Sequence, residues 1–371
     1  MLTYCTNIHP GESWGEIFAN VRRYVPRVKE AVSPHEPFPI GLRLSNRASL
    51  EIDAAESARF RDWCEEHGCL VRTVNGFPYG PFHGVPIKED VYLPDWRYPE
   101  RLAYTKRLAT LLAGWLPPGV KGSISTVPVG FKPALAAEEW RPAVLRNLAE
   151  ALEHLDRLRR ESGKQIALAL EPEPACLLET TEEVVDFFDS LPFGPELRDL
   201  LAVCYDCCHQ ALAFERPAES LRRLSRAGIR IAHVQVSSAL RCGGADLGRL
   251  AGFCEPWYLH QTVGRRPDGS LLRCGDLPEA LAVREAEVRE WRVHFHVPVF
   301  LGELPACGTT RGFLEEILPL FDPEVPLEVE TYTWTVLPPE LRGEDVAESV
   351  VREIRWAQSR RRAPAFSGGT A

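Results

Sequence analysis

Four strand-like segments of the sequence end in side chains that could bind a metal ion. Glu171 closes QIALALE and Asp206 closes LAVCYD, while Gln235 and Glu330 stand near the ends of IRIAHVQVS and PLEVETY. Three carboxylates brought to one place repel one another and are driven toward protonation unless a cation lies among them. Oxygen ligands suit Mg²⁺, Mn²⁺ or Co²⁺ better than a structural Zn²⁺. The sequence therefore predicts one divalent ion held by four ligands: Glu171, Asp206, Gln235 and Glu330.

Three histidines add imidazole groups to this set. His209 follows Asp206 by three residues in YDCCH, where it would orient a substrate oxygen or a water molecule, or bind the metal itself. The alternative is a helix N-cap followed by an incidental surface histidine, because aspartate is a favoured cap residue. His294 and His296 in VHFHVPV share one face of a strand, a spacing that suits a metal. Because the position of that strand is not fixed by the pattern, we place both among the substrate-binding residues.

Further polar residues are expected to line the same pocket. Asn7 and His9 end the first strand and Asn75 ends the third. Arg241, in VSSALR, is a candidate clamp for an anion or a hydroxyl group; the alternative is a solvated loop arginine. Arg43, in GLRLS, points inward and is expected to contact substrate; the alternative is a pair with an inward glutamate in a buried ion-pair layer.

The elements that must position these residues alternate between short strands and longer helices. Nine strand candidates run in one series, and no G-x-G-x-x-G follows the first, so a Rossmann fold loses its main support. The pattern predicts an α/β protein, a (β/α)8 TIM barrel of residues 1–359 with a flexible tail, 360–371. We expect 252–304 to be an insertion on the catalytic face before the last strand, with a hairpin turned at Pro267-Asp268-Gly269.

Strand periodicity decides which side chains face the barrel interior. In QIALALE the isoleucine and leucines face the helices, so Glu171 points inward at the C-terminal mouth, where barrel enzymes carry their catalytic residues. In PLEVETY two apolar residues face outward, so Glu330 points inward. The same alternation turns Asp206 and Gln235 toward the mouth. The four metal-binding candidates are therefore expected to converge.

Composition restricts the classes of function. The 371 residues carry a net charge of −9, which gives no long-range attraction to nucleic acid or to an anionic membrane. No apolar stretch approaches the ~20 residues of a bilayer span, and no signal core follows the N-terminus. Eleven scattered cysteines are typical of reduced thiols. We therefore expect a cytoplasmic protein that acts on a small molecule and does not insert into a membrane.

These residues resemble the xylose isomerase-like superfamily of TIM barrels, the sugar phosphate isomerases and epimerases. In its ketose 3-epimerases, Glu, Asp, His and Glu on the last four strands bind one divalent cation, with a D-x-x-H motif on the sixth strand. Glu171, Asp206 and Glu330 match three of these ligands, and His209 matches the motif histidine. Arg241 lies six residues after the seventh-strand ligand, as a substrate-binding arginine does there.

The sequence departs from the epimerase pattern at two positions. Gln235 stands where the epimerases have a histidine ligand, which implies a weaker or a different metal site. Leu177 stands where they have a substrate-binding glutamate. Free ketohexoses are therefore not the expected substrates.

Longer phrases carry a second resemblance. LTYCTNIHPGESW, NGFPYGPFHG, GSISTVPVGFKP and LEVETYTW are similar to the bacterial metabolite traffic protein EboE family, and the similarity spans most of the chain. It implies the handling or export of a secondary metabolite. It implies no known reaction.

The leading hypothesis is a metal-dependent isomerase or epimerase acting on a polyhydroxylated or cyclitol-like carbonyl compound. Glu171 and Glu330 would move a proton through an enediolate, with His209 as a third catalytic residue. One alternative is a non-catalytic metabolite carrier, which Gln235 favours. Another is a multi-zinc phosphodiesterase of the endonuclease IV type, which the net charge disfavours because DNA binding requires a basic face. Barrels of this kind often form dimers, so a homodimer is a further expectation.

Overall fold

Parallel strands surrounded by helices form the body of the protein, whose structure is a computed structural model that describes residues 2–136, 139–283, 287–305, 307–343 and 345–361. The strands, in chain order, are β1 (Leu2–Tyr4), β2 (Phe38–Arg43), β3 (Cys69–Asn75), β4 (Gly122–Thr126), β5 (Ile166–Leu170), β6 (Leu201–Asp206), β7 (Ile231–Val236), β8 (Ser238–Gly243), β9 (Thr262–Arg265), β10 (Leu271–Cys274), β11 (Glu290–Val297), β12 (Gly308–Thr309) and β13 (Leu327–Val329). The α-helices are α1 (Trp14–Val32), α2 (Asn46–Glu51), α3 (Ala54–Glu66), α4 (Pro99–Trp115), α5 (Lys132–Leu135), α6 (Arg141–Ser162), α7 (Thr181–Asp189), α8 (Pro195–Arg198), α9 (Cys207–Leu212), α10 (Pro217–Arg226), α11 (Leu277–Ala282), α12 (Arg311–Ile317) and α13 (Val346–Arg360). Short 3-10 helices lie at Thr6–Ile8, Lys88–Tyr92, Gly244–Phe253, Leu318–Leu320 and Tyr332–Val336.

Eight of the strands form one parallel sheet in the order β1-β13-β7-β6-β5-β4-β3-β2. A parallel bridge between Cys5 and Gly41 joins the two ends of this series and closes the ring. The helices pack their apolar faces against the outside of the ring and share one large core with the strands. The predicted (β/α)8 barrel is therefore confirmed, and the carboxyl ends of its strands meet at one mouth.

Local capping chemistry sets the ends of the helices that surround the barrel. At the start of α1, the Ser13 hydroxyl accepts a hydrogen bond from the Glu16 N–H, and the Glu16 carboxylate accepts one from the Ser13 N–H. At the end of α6, Gly163 adopts a φ of 70°, the left-handed conformation that glycine tolerates best. These signals bring the chain back to the barrel at defined points.

A second, five-stranded sheet stands beside the barrel mouth, in the order β10-β9-β11-β8-β12. It is antiparallel and has its own apolar core. The β9–β10 hairpin is the predicted one, and the ninth strand candidate, VHFHVPV, contributes to β11 in this sheet. The sheet begins at Ser238, one residue after β7, and ends at Thr309, so it extends beyond the predicted insertion of 252–304 on both sides.

The first two residues of the predicted tail, 360–371, belong to the packed part of the chain. Arg360 is the last residue of α13. The Arg361 guanidinium donates hydrogen bonds to the carbonyls of Asp322, Pro323 and Val325. Residues 362–371 lie outside the described part of the chain.

Gly41 occupies a point of close approach at the barrel seam. A Cβ atom there would lie 2.6 Å from Glu328 Oε2 and 2.7 Å from the Tyr4 carbonyl oxygen. Because the backbone at the seam has no room to move aside, we expect Gly41→Ala to lower the free energy of unfolding by about 1–3 kcal/mol. Urea denaturation measures this change. Gly15→Ala in α1 is the control, since no atom lies within 4 Å of its added Cβ, and a loss of equal size there would contradict the explanation.

Candidate metal centre

Three carboxylates converge at the mouth of the barrel. Glu171 directly follows β5, Asp206 ends β6 and Glu330 directly follows β13. All three side chains are buried, and one carboxylate oxygen from each lies within 4.8 Å of the others. The structure thus brings together three of the four predicted metal ligands.

The described lysines and arginines do not compensate the charges of these carboxylates. None of the three forms an ion pair with a lysine or arginine of the described residues. Burial and the Asp206 carboxylate raise the pKa of Glu171 well above its ordinary value, and burial and Glu171 do the same for the pKa of Glu330. Burial also raises the pKa of Asp206. A bound cation would remove this penalty.

Two oxygen atoms of this group are available as metal ligands. Glu171 Oε2 and Asp206 Oδ2 are buried and have no hydrogen-bond partner among the residues that the structure describes. Buried polar atoms seldom lack a hydrogen-bond partner, so two such carboxylate oxygens side by side indicate a cation site. The donor set is made of oxygens, which fits Mg²⁺ or Mn²⁺. The residues present therefore fit a divalent ion.

Asp206 is both a helix cap and a member of the cluster. Its Oδ1 accepts hydrogen bonds from the His209 N–H at 2.9 Å and from Ser237 Oγ at 2.8 Å. Its Oδ2 lies 3.9 Å from His296 Nε2. The alternative interpretation of YDCCH is correct for Asp206, one of whose oxygens caps α9 while the other remains available at the mouth. It is wrong for His209, which is buried and not at the surface.

Two asparagines hold Glu330 in place. Asn7 Nδ2 donates a hydrogen bond to Glu330 Oε1 at 2.8 Å, and Asn75 Nδ2 donates one to the same oxygen at 3.2 Å. Both asparagines also line the pocket above the carboxylates. Their amides favour the ionised form of Glu330 and leave its Oε2 without a bond from either.

Three histidines form the opposite side of the pocket. His209 comes from α9, and His294 and His296 come from β11 of the second sheet. The Nε2 atoms of His209 and His294 are 3.1 Å apart, and those of His294 and His296 are 3.2 Å apart. Burial lowers the pKa of His209 to about 3 and that of His296 to about 4, so both rings are neutral near neutral pH.

No protein family model and no curated protein matches this chain. The crystal structure of the probable 3-DHS dehydratase AsbF, involved in petrobactin synthesis in Bacillus anthracis, aligns over 96% of this chain and 98% of its own, with 12% identity and a TM-score of 0.50. A D-psicose 3-epimerase from Clostridium cellulolyticum H10 with D-tagatose aligns over 96% of each chain, with 13% identity and a TM-score of 0.50. These two structures have the same fold as this chain, a (β/α)8 TIM barrel.

Several residues in and around the pocket cannot be predicted from the periodicity of the strands. Glu173 is buried two residues after Glu171; burial raises its pKa to about 8, and the Tyr92 hydroxyl donates to its Oε1 at 2.7 Å. Gln261 Nε2 donates to the Tyr92 hydroxyl oxygen at 2.6 Å. Only the carboxylate spacing in LEPEP could have indicated Glu173, because it lies beyond the end of β5.

Two arginines expected at the substrate lie outside the pocket, one in the second sheet and one in the barrel. Arg241 is on β8, where its side chain is 44% exposed and 3.9 Å from Glu303, outside the pocket lined by the histidines. Arg43 is buried and forms two hydrogen bonds to the Glu12 carboxylate, at 2.9 and 3.0 Å. Arg43 therefore shapes the loop after β1 and neutralises Glu12 instead of the carboxylates at the mouth.

His9 and Gln235 are buried in the protein interior, outside the pocket lining. His9 stacks on Tyr24 with ring centroids 4.1 Å apart, and its Nε2 lies 3.2 Å from the Tyr4 hydroxyl. Gln235 pairs in register with Asp206 on one side and with Glu328 on the other. Burial raises the pKa of Glu328 to about 8, against the opposing effects of Arg72 and the Gln235 amide. Neither residue lines the pocket.

Aromatic side chains wall the upper part of the pocket. Phe82, Tyr258 and Tyr332 pack together with ring centroids 5.1–5.3 Å apart. Lys88 ties the loop before α4 to the second sheet, since its Nζ donates to the Tyr258 carbonyl and to Asp276, both at 2.7 Å. The pocket therefore has a polar floor of carboxylates and imidazoles under an apolar aromatic cover.

Proposed function

We propose that this protein is a divalent-metal-dependent isomerase or epimerase of a polyhydroxylated carbonyl metabolite. The observation that carries the proposal is the group of three buried carboxylates at the mouth, two of whose oxygens are unpaired among the described residues. A bound divalent ion, with Mn²⁺, Mg²⁺ or Co²⁺ preferred to Zn²⁺, would polarise a substrate carbonyl and its neighbouring hydroxyl. Glu171, Asp206 and Glu330 would hold it.

The two glutamates are the proposed acid–base pair. Glu171 would bind the ion through its unpaired Oε2 and use its other carboxylate oxygen to take a proton from the carbon next to the carbonyl. Glu330, held by Asn7 and Asn75 through one oxygen, would start protonated and deliver its own proton to the opposite face of the enediolate, while Glu171 would keep the proton it took until the product has left and then release it to solvent. His209 donates its Nδ1–H to the Pro172 carbonyl and presents its Nε2 to the pocket, where it would accept from a substrate hydroxyl when no cation is bound to it. The substrate would pass through an enediolate.

The pocket walls favour a substrate with one polar and one apolar face. Its hydroxyl and carbonyl oxygens would meet the carboxylates and imidazoles of the floor. Its carbon skeleton would stack on aromatic rings such as Tyr258 and Tyr332. A cyclitol-like or other ring-bearing carbonyl compound fits this division better than an open-chain sugar.

The proposed setting is the processing or traffic of a secondary metabolite in the cytoplasm, as the resemblance to the EboE family implies. All eleven cysteines are free thiols, which suits a reducing compartment. Within the described ranges, no helix has the length and apolar character needed to cross a bilayer.

Deuterium exchange tests the reaction. Protein purified without chelator is expected to contain a divalent ion at the carboxylates and, in deuterated water, to introduce deuterium next to the carbonyl of a polyhydroxylated ketone or aldehyde, read by mass spectrometry. Glu171→Gln is expected to slow exchange by about 10²–10⁴-fold, the contribution of a positioned base. Glu328→Gln is the matched control, because Glu328 also points inward but bonds to Thr73, one layer below the mouth.

Two other results would replace this proposal. Tight metabolite binding with no metal and no exchange across a broad panel would identify a carrier. Cleavage of phosphodiester bonds by protein loaded with two or three Zn²⁺ would identify a phosphodiesterase.

A further inference from the structure

The Nε2 atoms of the three pocket histidines face one another with no apparent reason in the carboxylate site. The distances are 3.1 Å from His209 to His294 and 3.2 Å from His294 to His296. The ring centroids are 4.7, 5.2 and 5.8 Å apart for the three pairs. All three rings are buried.

The hydrogen bonds on the far side of each ring fix its tautomer. His209 Nδ1 lies 2.9 Å from the Pro172 carbonyl, and His296 Nδ1 lies 3.0 Å from the Glu330 carbonyl. A carbonyl oxygen can only accept, so both Nδ1 atoms carry hydrogen. In the tautomer that these hydrogen bonds select, the facing Nε2 atoms present lone pairs.

His294 is fixed in the same way through Gln261. Its Nδ1 lies 2.7 Å from Gln261 Oε1. The orientation of that amide is set by its nitrogen, which donates to the Pro174 carbonyl at 3.1 Å, an oxygen that cannot donate in return. His294 Nδ1 therefore carries hydrogen, and its Nε2 presents a third lone pair.

Three lone pairs this close repel one another, and the Tyr332 hydroxyl, 3.4 Å from His294 Nε2, can donate to that nitrogen alone. A positive charge between the three rings would remove the repulsion. One proton could bridge only one of the two short contacts, whereas a metal ion satisfies all three nitrogens. Nitrogen ligands about 2.0–2.1 Å from a tetrahedral ion are about 3.3 Å apart, and their rings are about 5 Å apart. The observed spacings agree with this geometry. Hydrogen bonds from each Nδ1 to a fixed acceptor are also what metal-binding histidines usually have.

We propose that His209, His294 and His296 form a second cation site for Zn²⁺ or Co²⁺, beside the carboxylate site. Nitrogen ligands favour these ions over Mg²⁺. Three further side chains border the imidazoles and could each supply a fourth ligand: Glu173, Asp206 and Cys208. Each forms a group with two of the histidines, and the ligand atoms of a group lie within 4.8 Å of one another. Asp206 also belongs to the carboxylate group, so it lies between the two sites.

The second site supplies the nitrogen ligands that the barrel strands do not. Gln235 occupies the seventh-strand position, and the imidazoles come instead from α9 and from β11 of the second sheet. This inference does not depend on the reaction proposed above. A pocket with one oxygen-rich and one nitrogen-rich site would hold two different ions.

Cobalt titration of the metal-stripped full-length protein tests the site. We expect two equivalents of Co²⁺ to bind, one of them producing the intense visible absorption of four-coordinate, nitrogen-bound Co²⁺. His294→Gln is expected to remove that band and one equivalent while leaving the other. Glu171→Gln is expected to do the reverse. His154→Gln, in α6, is the control and should retain both equivalents and the band.

A variant that keeps all three imidazoles separates a metal role from a folding role. Gln261→Met removes the acceptor behind His294 Nδ1, together with the donors to Tyr92 and Pro174, and keeps all three imidazoles. We therefore expect Co²⁺ binding at the band-producing site to weaken roughly 10- to 100-fold. X-ray absorption of the wild-type protein loaded with one equivalent of Zn²⁺ is expected to show scattering from about three imidazoles, and it requires no variant.

Three results would overturn the second site. They are a single equivalent of Co²⁺ without the visible band, a band that survives His294→Gln in protein with native thermal unfolding, and an oxygen-only Zn²⁺ environment. The reaction proposed above fails separately: an intact band in a protein that exchanges no deuterium contradicts the isomerase and leaves the imidazole site standing.

Discussion

Replacing Asp206 with asparagine is expected to weaken Mn²⁺ binding by on the order of a hundredfold or more, since even the loss of a group behind a ligand costs roughly 10- to 100-fold. Asparagine can still accept the His209 N–H through its own oxygen, so the α9 cap survives. What disappears is the negative charge on the unpaired Oδ2, at the junction of the carboxylate and imidazole groups. Isothermal titration calorimetry of metal-stripped protein measures the change.

The same substitution is expected to stabilise the metal-free protein. A buried carboxylate without a cationic partner opposes folding, and its neighbours Glu171 and Glu330 add repulsion. The free energy of unfolding in chelator should therefore rise while metal affinity falls. Asp53→Asn is the matched control, because Asp53 caps α3 in the same way at the surface. Unchanged Mn²⁺ affinity in Asp206→Asn would remove the basis of the carboxylate site.

Replacing Arg101 with methionine is expected to lower the free energy of unfolding by about 3–5 kcal/mol. Arg101 is fully buried in α4, and its guanidinium donates to the carbonyls of Pro94, Gly76 and Phe77 at 2.7, 2.7 and 3.0 Å. Hydrogen bonds from charged donors contribute about 1.5–3 kcal/mol each, and relief from burying the charge offsets part of the loss. Urea denaturation monitored by circular dichroism gives the value.

The effect of Arg101 reaches the pocket because Phe77 lines it. Lys106→Met on the same helix is the control: its pair with Glu150 is exposed, and such pairs contribute less than about 1 kcal/mol. A loss in Arg101→Met no larger than that of Lys106→Met would show that the loop after β3 does not depend on these hydrogen bonds.

Some features were predictable because they follow from local periodicity. Parallel strands place alternate side chains inward and end at one mouth, so the last inward residue of each strand is defined by the strand itself. The alternation of strands and helices predicted the barrel, and the inward rule selected Glu171, Asp206 and Glu330, which the structure brings together. It also selected Gln235, which is in register with Asp206 and Glu328 but does not line the pocket.

Other features required the pairing of distant segments. Arg241 follows β7 closely, but β7 continues into β8 and so carries Arg241 into the second sheet, where it pairs in register with Arg292 and Gly308. The same sheet brings His294 and His296 over the mouth to within contact of His209. The sequence by itself determined the barrel, through its alternating strands and helices. It also determined which carboxylates stand at the mouth, because the inward and outward alternation of side chains is a property of each strand alone. Only the tertiary structure decided which imidazoles face those carboxylates, because antiparallel pairing between residues about 50 positions apart depends on the whole fold.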